Sequence, residues 1–175
     1  MPWCVVPHIN IEIKAKSTDQ EKIRGILKSS GADFKGVDHQ IDTYFKVTAG
    51  RLKLREGNIE NHLIYYDRED TAGPKTSRVI LYKNKPESNL KETLIRSMGV
   101  LAVVDKQREI YFIDNVKFHL DNVVGLGTFL EIEAIDKDRS IGNEKLMEQC
   151  TYYMNLLNIS KDDLVENSYS DLRMP

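Results

Sequence analysis

The sequence predicts an α+β protein in which about eight short strands close into a barrel, with charged residues inside and helices packed outside. Three observations lead there. Strand-length segments alternate apolar and polar residues, and successive strand side chains point to opposite faces. There are more such segments than one flat sheet comfortably holds. The charges on the polar faces are also sorted by sign. Arg51, Lys53 and Arg55 share one face of RLKLR, where like charges repel unless an anion or a carboxylate balances them. Alternation alone would equally suit an antiparallel sheet with one wet face. Sorting by sign favours a lined interior, and closure also removes strand edges.

The elements follow in order. His8 to Lys16 alternates: Asn10, Glu12, Lys14 and Lys16 share one face, and Ile9, Ile11, Ile13 and Ala15 share the other. Ser17-Thr18-Asp19-Gln20 reads as a capping box opening a helix, with Ile23, Ile26 and Leu27 at helical spacing and Gly31 at its end. Strands are expected over roughly 38–47, 51–56, 62–69 and 77–83, with a Gly73-Pro74 loop before the last. A helix is expected from about Ser88 to Met98, ended by Gly99. Residues from about 100 to 136 read as further strands, turned at Asp114-Asn115 and at Gly125-Leu126-Gly127. A longer helix is expected over about 140–157, burying Leu146, Met147, Cys150, Tyr153, Met154 and Leu157. A short final helix should begin at Ser160.

At 175 residues one domain is expected, with its core from about 8 to 172. The 25 Lys and Arg are balanced by 27 Asp and Glu. That leaves no global basic field for nucleic acid, so any cationic site must be local. Cys4 and Cys150 lack metal-ligand spacing and form no disulfide framework. No apolar run approaches the ~20 residues of a membrane span, and the opening is too short for a signal-peptide core. A cytoplasmic protein without a membrane partner is expected, as a monomer or homodimer.

Chemistry follows from residue type. Glu131 and Glu133 on one strand, with Glu12 on another, form a hard-oxygen set suited to Mg²⁺ or Mn²⁺. Arg and Lys around such an ion suit a polyanion: Arg grips phosphate oxygens bidentately and Lys supplies a point charge. No glycine-rich phosphate loop is present, so side chains must hold the phosphate.

At this level the chain resembles the CYTH domain family, the triphosphate tunnel metalloenzymes that join class IV adenylyl cyclases and thiamine triphosphatases. NIEIKAK resembles the family's ExExK signature, and QIDTYF, RLKLRE and DKQREIYF resemble its next strands. LDNVVGLGTFLEIEA resembles its Asp strand, Gly-x-Gly turn and Glu-x-Glu strand, and NSYSDL its SYxDL ending. The resemblance implies a closed eight-stranded antiparallel barrel forming a tunnel. It implies that Glu12, Glu131 and Glu133 hold metal, with Asp121 either a ligand or an orienting group. It implies that Lys14, Arg51, Lys53, Arg55, Lys106 and Arg108 hold the triphosphate, with Lys16, Arg68, Arg78 and Lys117 as weaker candidates and Tyr169 at the tunnel mouth. Glu12, Lys14 and Glu133 would form the catalytic set. His119 is expected as a hydrogen-bonded tunnel residue, not a ligand. One departure is Asn10, where the signature has its first Glu. The implied activity is conversion of ATP to cyclic AMP and pyrophosphate. The alternatives are hydrolysis of tripolyphosphate, thiamine triphosphate or a nucleoside triphosphate, and non-catalytic triphosphate or polyphosphate binding.

Overall fold

A computed structural model describes residues 7–173. Its eight strands are β1 (His8–Lys16), β2 (Asp33–Phe45), β3 (Arg51–Gly57), β4 (His62–Arg68), β5 (Lys75–Lys83), β6 (Val100–Ile113), β7 (Val116–Val123) and β8 (Gly127–Asp136). They close as β1-β5-β4-β3-β2-β6-β7-β8, and every pairing is antiparallel. The helices are α1 (Gln20–Ser29), α2 (Leu90–Met98), α3 (Asn143–Leu156) and α4 (Tyr169–Arg173).

The barrel's polarity is inverted, as the alternation predicts. Ile11, Ile13, Phe118, Leu120, Leu130 and Ile132 point outward and pack under α1 and α3 against Leu27, Leu146 and Cys150. Phe45 and Leu54 pack outward under Leu94 of α2. Burying these side chains is worth roughly 1.5–3 kcal/mol each. The outer shell therefore supplies the hydrophobic stabilisation that a barrel interior usually provides.

One end of the barrel is sealed. Tyr44, Val104, Val123 and Phe129 form an apolar floor, and α4 packs on it through Tyr169 and Leu172. The Tyr169 and Phe129 rings meet edge-on with centroids 5.1 Å apart. The chain entering α4 is stitched to β1: Val165 N–H donates to Lys14 O at 2.9 Å.

Several expectations need correction. The N-cap of α1 is Asp19, which accepts from Lys22 N–H at 3.0 Å, not Ser17. Ser17 instead extends the β1–β8 ladder, donating its N–H to Thr128 O at 3.0 Å. Gln20 turns away to donate to Asp121 O and Phe129 O. β2 starts at Asp33, earlier than its polar opening suggests, because a register shift between Phe34 and Gly36 lets the chain join β6 sooner. Met147 is exposed, outside the α3 stripe. From Ser160 only a 3₁₀ turn forms, Lys161–Asp163, and α4 was not foreseen. The two turns behave as expected: Asp114 takes φ 50°, and Gly125 and Gly127 take φ 77° and 97°. Cys150 is buried and free, and Cys4 lies outside the described residues. No helix among the described residues is long and apolar enough to cross a membrane.

Candidate active site

Inward-facing side chains of the strands line a central cavity of about 140 Å³. One wall is charged: Lys53 and Arg55 of β3, Arg108 of β6, Lys117 and His119 of β7, and Glu131 and Glu133 of β8. Toward β4 and β5 the lining turns partly apolar, with Ile64, Tyr66, Val79 and Leu81 beside His62, Arg68 and Ser77, and Ile135 of β8 adds to it. Ser168 and Tyr169 lie at the sealed end. Two kinds of surface thus meet in one cavity, a polyanion-compatible wall and a partly apolar one.

The charged wall is cross-braced by carboxylates. Asp42 of β2 is fully buried. Arg55 donates to both its oxygens at 2.9 Å, Lys106 to Oδ2 at 2.7 Å and Lys53 to Oδ2 at 3.0 Å. Burial alone would raise the Asp42 carboxyl, but Arg55, Lys106 and Lys53 hold it well below the usual carboxylate range. Burial pushes Lys106 down to about 7, against the pull of Asp42.

A second network joins the wall to the seal. Arg108 donates Nε–H to Asp121 Oδ1 at 2.6 Å and Nη2–H to both Asp121 Oδ2 and Glu131 Oε2. Tyr169 OH donates to Asp121 Oδ2 at 2.7 Å. Lys14 Nζ sits 3.3 Å from Glu131 Oε1 and 3.7 Å from the centre of the Tyr169 ring. Burial lowers the Lys14 ammonium, with Glu131 opposing it.

Glu131, Glu133 and His119 converge, each offering a ligand atom within 4.8 Å of the others. His119 Nδ1 is 3.1 Å from Glu131 Oε2, while its Nε2 is buried without a partner among the described residues. Burial, with Arg108 and Lys117, pushes the imidazole down to about 3. It is therefore neutral, and Nδ1–H donating to Glu131 leaves a lone pair on Nε2. Burial raises the Glu133 carboxyl to about 7; Glu12 and Glu131 add to this and Lys117 opposes it. A raised carboxyl on Glu133, with Glu131 and a nitrogen of the neutral His119 imidazole within 4.8 Å, fits a divalent cation. Asn10 Oδ1 is a further buried acceptor without a partner in this cavity.

The profile of the CYTH domain matches residues 8–169. This chain belongs to the CYTH family. The CYTH protein is 30% identical over 174 residues to a Methanocaldococcus jannaschii protein described as a putative adenylate cyclase, covering 94% of this chain and 98% of that one. A Pyrococcus horikoshii structure superposes with TM-score 0.78 at 26% identity, covering 93% and 98% of the two chains. A Hippeastrum structure, described as a putative adenylyl cyclase with a dominant triphosphatase activity, superposes with TM-score 0.59 at 14% identity over 92% and 91%.

Most of the expected site residues of the CYTH protein meet in the cavity. Glu12, Lys14, Lys53, Arg55, Arg68, Arg108, Tyr169, Glu131 and Glu133 all line it. Lys106 lies just behind the lining, on Asp42. Glu12 is held by Arg68 and stands opposite Glu133 in the β1–β8 register. Four residues fall elsewhere. Lys16 is exposed at the end of β1. Arg78 is exposed on the outer face of β5, beside Asp67 and Ile9. Arg51 ties Asp70 to Asp171 of α4, at 2.6 and 3.0 Å, outside the cavity. Asp121 orients Arg108 and Tyr169, its oxygens already taken, while His119 stands where a ligand was expected from it. Sequence reasoning missed Asp42 and Glu60 as partners of the cations. Asp42 could have been found, since it shares the inward face of β2 with Gln40 and Tyr44.

Proposed function

We propose that this CYTH protein is a divalent-cation-dependent enzyme acting on a triphosphate ester, with cyclisation of ATP as the leading reaction. The observation that carries this reading is the two-sided cavity. A cationic wall of Lys14, Lys53, Arg55, Arg108 and Lys117 suits a phosphate chain. The apolar part of the lining, from Ile64 to Ile135, suits the organic group esterified to it. Inorganic tripolyphosphate would leave that part without a partner. The relative described as an adenylate cyclase supports the same direction.

Glu131, Glu133 and His119 are the residues that would hold Mg²⁺ or Mn²⁺, with Glu12 facing them from β1. Such an ion supplies charge neutralisation at phosphate oxygens. The chain's own part is positioning. Arg55 and Arg108 are rigidly aimed by Asp42 and Asp121, so little reorganisation remains when phosphate replaces a carboxylate partner. In cyclisation the ribose 3′-oxygen bonds to the α-phosphorus, its proton leaves, and the α–β bridging bond breaks to release pyrophosphate. Lys53, Arg55 and Lys117 would hold the departing phosphates.

Hydrolysis is the second reading, with tripolyphosphate, thiamine triphosphate or a nucleoside triphosphate as substrate. The cavity size favours tripolyphosphate among these: about 140 Å³ is below the ~300 Å³ at which small-molecule sites begin, which suits a bare phosphate chain better than one carrying a large organic group. A non-catalytic triphosphate or polyphosphate binder is the third reading, and Asn10 motivates it. The deciding experiment incubates the protein with ATP, and separately with tripolyphosphate, in Mg²⁺ and in Mn²⁺, and identifies every product by chromatography. Cyclic AMP with pyrophosphate upholds the cyclase. Orthophosphate without cyclic nucleotide makes the protein a triphosphatase. No turnover of either substrate, nor of thiamine triphosphate assayed in the same way, leaves the binder.

A further inference from the structure

One carboxylate in the cavity comes from a turn, not a strand. Glu60 lies between β3 and β4, and a fully buried residue is committed to aiming it. Asp38 Oδ1 accepts Ile59 N–H at 2.8 Å, and its Oδ2 accepts Glu60 N–H at 3.0 Å and Gln40 Nε2 at 2.8 Å. Gly57 makes room for this brace: a Cβ there would stand 2.6 Å from Asp38 Oδ1. Asn61 then clamps the turn, donating to Gly57 O at 2.8 Å and accepting from Gly57 N–H at 3.2 Å.

The carboxylate so aimed takes two cations of the lining. Arg55 Nη1 donates to Glu60 Oε2 at 3.0 Å, Gln40 Nε2 donates at 3.2 Å, and Lys117 pairs with Oε1. Burial would raise the Glu60 carboxyl, but Lys117 and Arg55 hold it far below the usual range, so it is charged. An incoming phosphate therefore finds Arg55 and Lys117 already occupied by an anion of the protein itself.

We infer that Glu60 is a resident anion that sets the selectivity of the cavity, because a ligand competes with it for Arg55 and Lys117. This rests on reading the cavity as a triphosphate site. A chain carrying several charges recovers the lost pairs from its many oxygens. Orthophosphate, with few charges and few oxygens, does not. Glu60 thus discriminates against short products and common anions while leaving triphosphate binding intact. A purely positioning role makes the opposite forecast: without Glu60 the two cations lose their orientation and every anion binds more weakly.

The test is calorimetric titration of tripolyphosphate and of orthophosphate, in EDTA, into wild type, Glu60→Gln and Glu60→Asp. Gln keeps the shape and removes the charge; Asp keeps the charge but is one methylene too short to span both cations. Circular dichroism establishes folding of each, and Glu60→Asp carries the test should Glu60→Gln unfold. We expect Glu60→Gln to bind tripolyphosphate about tenfold tighter, the scale of one freed charge-assisted hydrogen bond. Orthophosphate should gain more, so the ratio of the two affinities narrows. Glu60→Asp should move the same way by less. Unchanged or weaker binding in the variants, with wild type binding tripolyphosphate, overturns the inference. Failure of all three proteins to bind tripolyphosphate both in EDTA and with added Mg²⁺ overturns the triphosphate reading itself.

Discussion

Asp42, with no solvent exposure, accepts from Arg55 Nε and Nη2, each at 2.9 Å. The same carboxylate holds Lys106 and Lys53. Removing one partner of a buried ion pair leaves the others uncompensated, at about 3–5 kcal/mol. Asp42→Ala is expected to lose stability on that scale in urea denaturation. Loss below about 1 kcal/mol would mean that the cations relax into the cavity without it.

Lys106 ties stability to pH. Its ordinary value is 10.5, and the folded environment lowers it to about 7. Between those values the unfolded chain holds a proton that the folded chain has released, so stability from this group rises with pH across that window. Urea midpoints at pH 6.5 and 9 should show the rise in wild type and a smaller one in Lys106→Met. Identical slopes would remove Lys106 as its source.

Glu133 separates stability from chemistry. The imidazole 3.7 Å away, His119, is neutral, and Lys117 offsets only part of the burial and of the repulsion by Glu12 and Glu131. Glu133→Ala should therefore fold with unchanged or higher thermal stability in EDTA, yet lose divalent-dependent turnover. Near-wild-type turnover would take Glu133 out of the metal set.

Asn10 tests the departure from the family signature. It precedes Glu12 on the same inward face, opposite Ser77 of β5 and Ile135 of β8. Asn10→Glu adds a charge to an already repelled cluster. Melting temperature should fall in EDTA, and the stabilisation by added Mg²⁺ or Mn²⁺ should exceed that of wild type. Turnover appearing only in the variant would favour the binder reading.

Tyr169 seals the barrel through one hydroxyl. Tyr169→Phe keeps the ring against Phe129 and loses the hydrogen bond to Asp121, a charged acceptor, at about 1–3 kcal/mol. A change within experimental error in urea denaturation would show that water replaces the bond.

Period-two alternation made the strand-borne residues legible, because it assigns Glu12, Lys14, Arg55, Arg108 and Glu133 to one surface without any knowledge of pairing. It could not rank them. Lys16 and Arg78 obey the same alternation, but Lys16 falls at the end of its strand and Arg78 has its parity on the outer face, which the pairing of β5 with β1 and β4 fixes. Glu60 was illegible because a turn has no period: its aim comes from hydrogen bonds to Asp38, which is remote in sequence. The seal by α4 was missed for a similar reason, since five residues are too few to show a helical stripe.

The barrel's closure also constrains how the chain is made. β1 is synthesised before the other seven strands, yet its neighbours are β5 and β8, and Ile9 pairs with Asp136. Contacts so distant in sequence are slow to form. Until β8 has been synthesised, the nine residues of β1 have at most one edge satisfied. Their outward face of Ile9, Ile11 and Ile13 also lacks the cover of α3, which comes later still. Until β8 and α3 have emerged, β1 therefore keeps a free edge and an uncovered apolar face, the kind of segment on which intermolecular pairing begins.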